Sequence, residues 1–285
     1  MNKNNLLYDK QYGFRAGHSC EHALIDAHHT ITESLGKKEI ALLLLIDFSK
    51  AFDMVDHELM LQKLYYYGIR GIAHDWFRSY LSHRKQYVKI NGSMSSIKDI
   101  EHGVPQGSIL GPLLFILFIN DMPNIFPGAH FILYADDANI IITGKTIKEI
   151  EEKINLLIPN LSNWVQLNML KLNTTKTKYM LISNVIKSDI SIFINNNKIE
   201  RVTHDRFLGV IIDEKLSFVI HRHALAKKIA NNCGVLFRAR HVLNKDSLNK
   251  LYYSFIQSHM IYCSNVSKSI KHDSCETVIM KKIQI

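Results

Sequence analysis

The sequence predicts an α+β fold in which an antiparallel sheet carries helices on one face and a helical part follows. Three observations predict it. Residues 41–46 form an unbroken aliphatic run that stops at Asp47; a strand buried on both faces has this pattern, as does a short buried helix. Residues 131–142 place Tyr134-Ala135-Asp136-Asp137 between two aliphatic runs, which reads as strand, tight turn, strand. Strand and helix patterns alternate up to Asp213, beyond which helical spacing prevails.

The elements follow in order. Residues 21–35 have helical spacing. After the 41–46 strand, Asp56 suits the N-cap of a helix over 57–67, and Gly68 stops it. A helix over 72–81 leads into a hairpin of 86–90 with 97–100. The loop Gly103-Val-Pro-Gln-Gly-Ser-Ile-Leu-Gly-Pro112 excludes regular structure before Pro112, which itself suits a first helical turn. The helix after it is apolar nearly all round, hence buried, and too short to span a membrane. The two-acid hairpin precedes a long helix over 147–164 and a strand over 177–183. Strands 190–194 and 198–202 turn at Asn195-Asn196-Asn197. Between 218 and 243, Leu225, Ile229, Leu236 and Val242 recur at loose helical intervals.

Two adjacent carboxylates at a hairpin tip disfavour each other's ionisation. A divalent cation reverses that cost and makes the pair a binding site. Alone, the pair is an ordinary polar tip, and Asp47 alone is an ordinary turn former. Together, a strand-end acid and an Asp-Asp hairpin about ninety residues later are what two-metal phosphoryl transfer needs. Glycines in the loop between them let a substrate approach the backbone, although a sharp connection into a core helix would use them too. Gln106 adds an amide that both donates and accepts.

With those residues in view, the chain resembles the reverse transcriptases of non-LTR retrotransposons, most closely the jockey-like lineage, over nearly its whole length. Gln11-Tyr-Gly-Phe-Arg15 resembles the family's Q-x-G-F-R segment. Leu45-Ile-Asp-Phe-Ser-Lys-Ala-Phe-Asp53, with Val55-Asp-His57, resembles its first catalytic motif. The loop over 103–112 resembles its substrate loop, and Tyr134-Ala-Asp-Asp137 its catalytic hairpin. Leu172-Asn-Thr-Thr-Lys-Thr-Lys178 is similar to the lysine-bearing motif that follows, and Phe207-Leu-Gly-Val-Ile-Ile-Asp213 to the primer-grip strands. Each segment is weak alone; the order is specific.

The resemblance implies a right-hand polymerase: partial fingers over 1–40, a palm over 41–212 with a fingers insertion at about 68–102, and a thumb-like helical region over 213–285. It implies Asp47, Asp136 and Asp137 as the catalytic carboxylates holding two Mg²⁺ ions, with Mn²⁺ as a substitute and the Phe48 carbonyl as a backbone ligand. Phe52 would lie under the sugar and clash with a 2′-hydroxyl; a core phenylalanine on the same turn fits the sequence equally well. Gln106 and Gly107 would meet the incoming nucleotide or template. Lys176 would meet the pyrophosphate leaving group, unless it is simply a solvated lysine. Leu208 and Gly209 would approach the primer backbone. The implied partners are an RNA template, a DNA primer and dNTPs.

The departures generate expectations of their own. Relatives carry an upstream segment, with an Arg-Pro-Ile-Ser-like stretch, before the region matching residues 5–9. The basic fingers residues that hold the triphosphate are therefore expected to be missing, with Arg15 as the stand-in. Ala138 replaces the usual Thr, and Val266-Ser-Lys268 stands where relatives have Val-Trp-Gly. Both ends are expected to be truncated, with no upstream endonuclease and poor turnover by this chain alone.

Composition bounds the rest. With 285 residues and 47% hydrophobic content, the chain can bury a sizeable core. A net charge of +9 favours a polyanionic partner. His221-Arg-His223, Lys227-Lys228 and Arg238-Ala-Arg240-His241 suit either a solvated helix face or phosphate contacts along a duplex, joined by Lys171, Lys176 and Lys178. The four cysteines form no Cys-x-x-Cys pair, and no secretory signal is evident. Free thiols inside the cell, in nucleus or cytoplasm, are expected. His28-His29 and His221-x-His223 lack cysteines at finger spacing, so zinc is not expected. The leading reading is an RNA-directed DNA polymerase core; the alternative is a remnant that only binds nucleic acid. A two-metal nuclease leaves the 103–112 loop unexplained, and Ala135 and Phe52 set the chain apart from Gly-Asp-Asp RNA polymerases.

Overall fold

Residues 6–183 and 190–264 are described by the structure, a computed structural model. Asn5, the expected free thiol Cys275 and the departure at 266–268 lie outside them. The chain begins with α1 (Cys20–Gly36), whose first turn is capped by the Ser19 hydroxyl accepting from the His22 N–H. The aliphatic run forms β1 (Ile40–Ile46). The next helix, α2 (His57–Tyr66), starts where expected, with the Asp56 carboxylate accepting from the Leu59 N–H at 2.8 Å. After α3 (Ile72–Leu81), the expected hairpin is two nested ladders. An outer pair, β2 (Lys85–Gln86) with β5 (Lys98–Asp99), encloses β3 (Lys89–Ile90) with β4 (Ser93–Met94). All four are exposed, so no buried face holds them in a longer register.

The buried helix α4 (Leu110–Phe118) begins two residues before Pro112. The expectation of irregular structure up to Pro112 fails because proline in a first turn needs no N–H partner, and the Ser108 hydroxyl accepts from the Gly111 N–H at 2.8 Å. Next come β6 (His130–Tyr134), β7 (Asp137–Gly144), α5 (Ile147–Leu167) and β8 (Lys178–Ile182). Short β9 (Phe193–Ile194), β10 (Asn197–Lys198) and β11 (Glu200–Arg201) precede a hairpin of β12 (His204–Phe207) and β13 (Val210–Asp213). Helices α6 (Val219–Ala239), α7 (Lys245–Tyr252) and α8 (Ser258–Ile261) follow.

The main sheet has the order β11-β8-β1-β7-β6. It is antiparallel except at β11, which pairs parallel with β8; a chain leaving the end of β8 and returning to its start must run parallel to it. Side chains alternate across β1, so Leu42, Leu44 and Ile46 enter one core and Ala41 and Leu43 the other. The first face is covered by α2, α4 and α5, as the sequence predicts. The second is not bare: Ala23, Leu24 and Ile31 of α1, and Phe207 and Ile212 of the β12–β13 hairpin, pack on it. Double-sided burial is the reason β1 shows no polar alternation. The C-terminal helices keep a small cluster of their own around Ile229 and Ile256, with Leu225 and Leu236 beside it. Val242 lies beyond α6 and is 85% exposed, so the expected apolar stripe stops at Leu236. No helix among the described residues is long and apolar enough to cross a membrane.

A half-buried cation ties α2 to the end of α4. The Lys63 ammonium donates to the Phe118 carbonyl and to both Asp121 oxygens, at 2.8 and 2.9 Å, and Asp121 also accepts from the Trp164 indole N–H. Burial lowers the Lys63 pKa although Asp121 opposes the shift. Lys63→Met keeps the stem but leaves a helix-end carbonyl unpaired. It should lower the unfolding free energy by about 2 kcal/mol in a urea titration. An unchanged midpoint would show that the ion pair contributes nothing net.

Candidate active site

Ile46 pairs with Ala138, so one further step along this register sets Asp47 across from Asp137. Tyr134 pairs with Asp137, leaving Ala135-Asp136 as a two-residue turn in which Ala135 takes a φ of 54°. Asp136 and Asp137 are exposed and Asp47 is half-buried. Surrounding protein first, then the Asp136 and Asp47 carboxylates, raise the Asp137 pKa. Three like charges therefore meet at the end of β1 and β7. Because Asp137 reaches the surface, the shift marks proximity rather than a large stored energy.

Two segments hold this corner. Residues 10–13 run beside β6: the Tyr12 N–H donates to the Leu133 carbonyl at 2.8 Å, and the Leu133 N–H to the Lys10 carbonyl at 3.0 Å. A Cβ on Gly13 would lie 2.3 Å from the Ala135 nitrogen, so only glycine lets this segment back the turn. On the other side, the Asn173 N–H donates to the Asp47 carbonyl at 2.8 Å, the Ser49 N–H to the Lys171 carbonyl at 2.8 Å, and the Asp47 N–H to the Thr177 hydroxyl at 3.3 Å. The Phe48 carbonyl is not used in that pairing; the Phe48 ring is buried beside Trp164.

The glycine-rich loop packs on the turn after β1. The Gly103 N–H donates to the Val55 carbonyl at 2.7 Å and the Val104 N–H to the Phe52 carbonyl at 2.8 Å. The His57 imidazole meets the Gly103 carbonyl at 2.7 Å. Gly103 has a φ of 89°, and a Cβ there would sit 2.9 Å from the Asp53 backbone. Gln106 Nε2 donates to the Asp53 carboxylate at 2.9 Å. A carboxylate can only accept, so the Gln106 amide oxygen is left as an acceptor for another group. Gly107, with a φ of 78°, borders open space. The Phe52 ring stacks on Phe115 at 4.4 Å and meets the edge of Phe14 at 6.2 Å. It is half-buried, tied to the core by one face.

Other expected residues lie in different settings. The Arg15 guanidinium donates to the Tyr8 and Asp9 carbonyls, at 3.0 and 3.3 Å, holding a turn. Lys176 is exposed and has no ion pair among the described residues, whereas Lys178 is paired with Asp205 at 3.0 Å. Leu208 and Gly209 form the β12–β13 turn, with φ values of 44° and 85°. The Tyr262 hydroxyl donates to the Leu208 carbonyl at 2.7 Å, and a Cβ on Gly209 would lie 3.2 Å from the Tyr262 ring. Hydrogen bonding with the Cys20 thiol, then burial, pushes the Tyr134 phenol up to about 12. Burial, then the same thiol, raises the Tyr262 phenol. The Tyr262 hydroxyl thus holds the Leu208–Gly209 turn against the C-terminal helices. Gly13, Asp53 and Thr177 lie within motifs whose pattern does not signal these contacts, and Tyr262 carries no local signal.

Among the described residues, no group of three or more His, Cys, Asp or Glu side chains is gathered closely enough to hold a metal ion by itself. The three aspartates nonetheless fit a divalent cation by charge, since a bound cation would offset the Asp136 and Asp47 carboxylates that raise the Asp137 pKa. An open cluster suits Mg²⁺, which keeps waters and takes one or two carboxylates plus substrate phosphates.

The crowding has a measurable sign. The folded-state pKa of Asp137 lies above its unfolded value, so the repulsion is present above the folded pKa and lost when Asp137 is protonated. In EDTA, Asp137→Asn should raise the melting temperature by about 2 °C, and the difference from wild type should shrink as pH falls. A lower melting temperature for the variant would rule out the crowding.

Residues 1–212 match the family described as reverse transcriptase (RNA-dependent DNA polymerase). The chain is 30% identical over 267 residues to the RNA-directed DNA polymerase from mobile element jockey of Drosophila funebris, covering 90% of this chain and 29% of that protein. It is 28% identical over 245 residues to the probable RNA-directed DNA polymerase from transposon BS of Drosophila melanogaster, covering 80% and 26%. The chain thus spans less than a third of the length of these relatives. Among solved structures, telomerase from Candida albicans in complex with a fragment of telomeric RNA aligns over 98% of this chain and 46% of its own, with a TM-score of 0.49 and 12% identity. The chain belongs to the reverse transcriptase (RNA-dependent DNA polymerase) family.

Proposed function

We propose that this chain is a polymerase core that copies an RNA template into DNA by adding deoxynucleotides to a primer 3′-hydroxyl. One observation carries the reading: Asp47, Asp136 and Asp137 meet at one end of the sheet. These acids, with the Phe48 carbonyl, would hold two Mg²⁺ ions, or Mn²⁺ in their place. Such ions, when bound, lower the pKa of the primer hydroxyl and offset charge on the triphosphate. The protein's part is positioning. Gln106, with its amide turned by Asp53, offers an acceptor to the incoming nucleotide or template, beside Gly107. Phe52 restricts the sugar, Lys176 meets the leaving pyrophosphate, and the Leu208–Gly209 turn lies along the primer. The division into partial fingers over 1–40, palm over 41–212 and thumb from 213 belongs to the same proposal. The basic positions of α6 supply phosphate contacts without sequence readout.

Binding without turnover is the second reading; in the structure Arg15 holds a turn through the Tyr8 and Asp9 carbonyls. Primer extension separates the two. Asp136→Asn keeps the shape and removes a charge, so extension should fall by at least about a hundredfold with primer–template binding unchanged. Extension by the variant at the wild-type rate would refute the assignment, and an inactive wild type in both Mg²⁺ and Mn²⁺ would leave the binding reading standing.

Phe52→Val should raise ribonucleotide incorporation relative to deoxyribonucleotide, since removing a clash acts on the disfavoured sugar. Equal loss on both substrates would make Phe52 a core residue alone.

A further inference from the structure

The β1–β8 ladder is regular as far as Leu45 with Lys178, and the next bridge joins Phe48 to Leu172. Between them, Ile46 and Asp47 on one side face residues 173–177 on the other. The ladder is therefore broken at Asp47, the acid whose placement matters most. In a regular antiparallel pair, the backbone groups of Asp47 would find a partner strand's carbonyl and N–H. Here its carbonyl takes the Asn173 N–H at 2.8 Å, while its N–H finds the Thr177 hydroxyl at 3.3 Å. A side chain substitutes for a missing strand carbonyl. Thr177 is 0% exposed, so water is poorly placed to replace that acceptor.

The loop is closed upon itself. The Lys176 and Thr177 N–H groups both donate to the Asn173 carbonyl, at 3.1 and 2.9 Å, and the Thr175 hydroxyl to the Asn173 side-chain oxygen at 2.7 Å. Among the described residues, Thr177 is the side chain that ties this unit to Asp47.

We infer that Thr177 is a positioning residue: its buried hydroxyl holds the Asp47 backbone so that the Asp47 carboxylate meets Asp136 and Asp137. This rests on the proposed role of Asp47 as a metal-holding acid. The arrangement reconciles two demands. A continuous ladder would draw 173–177 into the sheet and leave no loop to carry Lys176, whereas a bare break would leave the Asp47 N–H unpaired. The hydroxyl keeps the loop and restores the bond.

The test uses Thr177→Val, which keeps the branched shape without the hydroxyl, and Thr177→Ser, which keeps the hydroxyl. Two readouts are taken: residue-resolved amide hydrogen exchange in the metal-free protein, and Mn²⁺ affinity by electron paramagnetic resonance, with Asp47→Asn as control. The valine variant should lose protection at the Asp47 amide and bind Mn²⁺ about tenfold more weakly, as removal of a group that orients a ligand does. The serine variant should retain both. Unchanged exchange and affinity in the valine variant, or equal losses in both variants, would overturn the inference. Should wild type and Asp47→Asn bind Mn²⁺ equally, the metal role of Asp47 fails, while amide exchange still decides whether Thr177 holds it.

Discussion

Ile46 lies against Ala138 in the β1–β7 ladder, and this pairing places the acids of the site. Side chains alternate along a strand, so a slip of one residue would turn Asp47 toward the face that carries α2, α4 and α5. A carboxylate there would enter the apolar core that these helices cover, where burying it without a partner is costly. Burial on both faces resists the slip: Leu42 and Leu44 would exchange places with the smaller Ala41 and with Leu43 across two differently shaped cores. The aliphatic run is thus more than a core filler. It is the device that sets where the acids emerge.

The same corner is destabilised by its own chemistry, because like charges are crowded before any cation arrives. Rigid surroundings have to over-determine it. Gly13 lets a second backbone approach Ala135 to a distance that any side chain would forbid. The 171–177 loop grips Asp47 at both its N–H and its carbonyl. Tyr262 adds a hydroxyl that holds the Leu208–Gly209 turn through the Leu208 carbonyl.

Local pattern made much of this legible. Asp47 announces itself as the end of an apolar run, Asp136-Asp137 as the tip of a hairpin, and Asp56 as a cap three residues before the N–H it accepts from. What could not be read are contacts whose partners lie far apart in the chain. Nothing near Thr177 signals that its hydroxyl serves a strand 130 residues earlier. Nothing near Tyr262 signals a carbonyl 54 residues away. The parallel β11 edge and the nested exposed ladders were missed for a related reason: short strands without a buried face carry no periodicity to read. Val242 repeated a helical interval beyond the point where the helix had already ended.

Phe52 is open to two readings in the sequence, core residue or the sugar contact proposed above, and the two need not compete. Its ring stacks on Phe115 of α4, with Phe14 at its edge, and its carbonyl accepts from Val104 at the start of the glycine-rich loop. A wall that discriminates by repulsion works only if it cannot rotate away, since a yielding side chain would accommodate the larger sugar at little cost. Close packing on one face removes that freedom. Attachment to the core is therefore a condition for excluding a hydroxyl at this position, and a phenylalanine loose enough to be free of the core would make a poor gate.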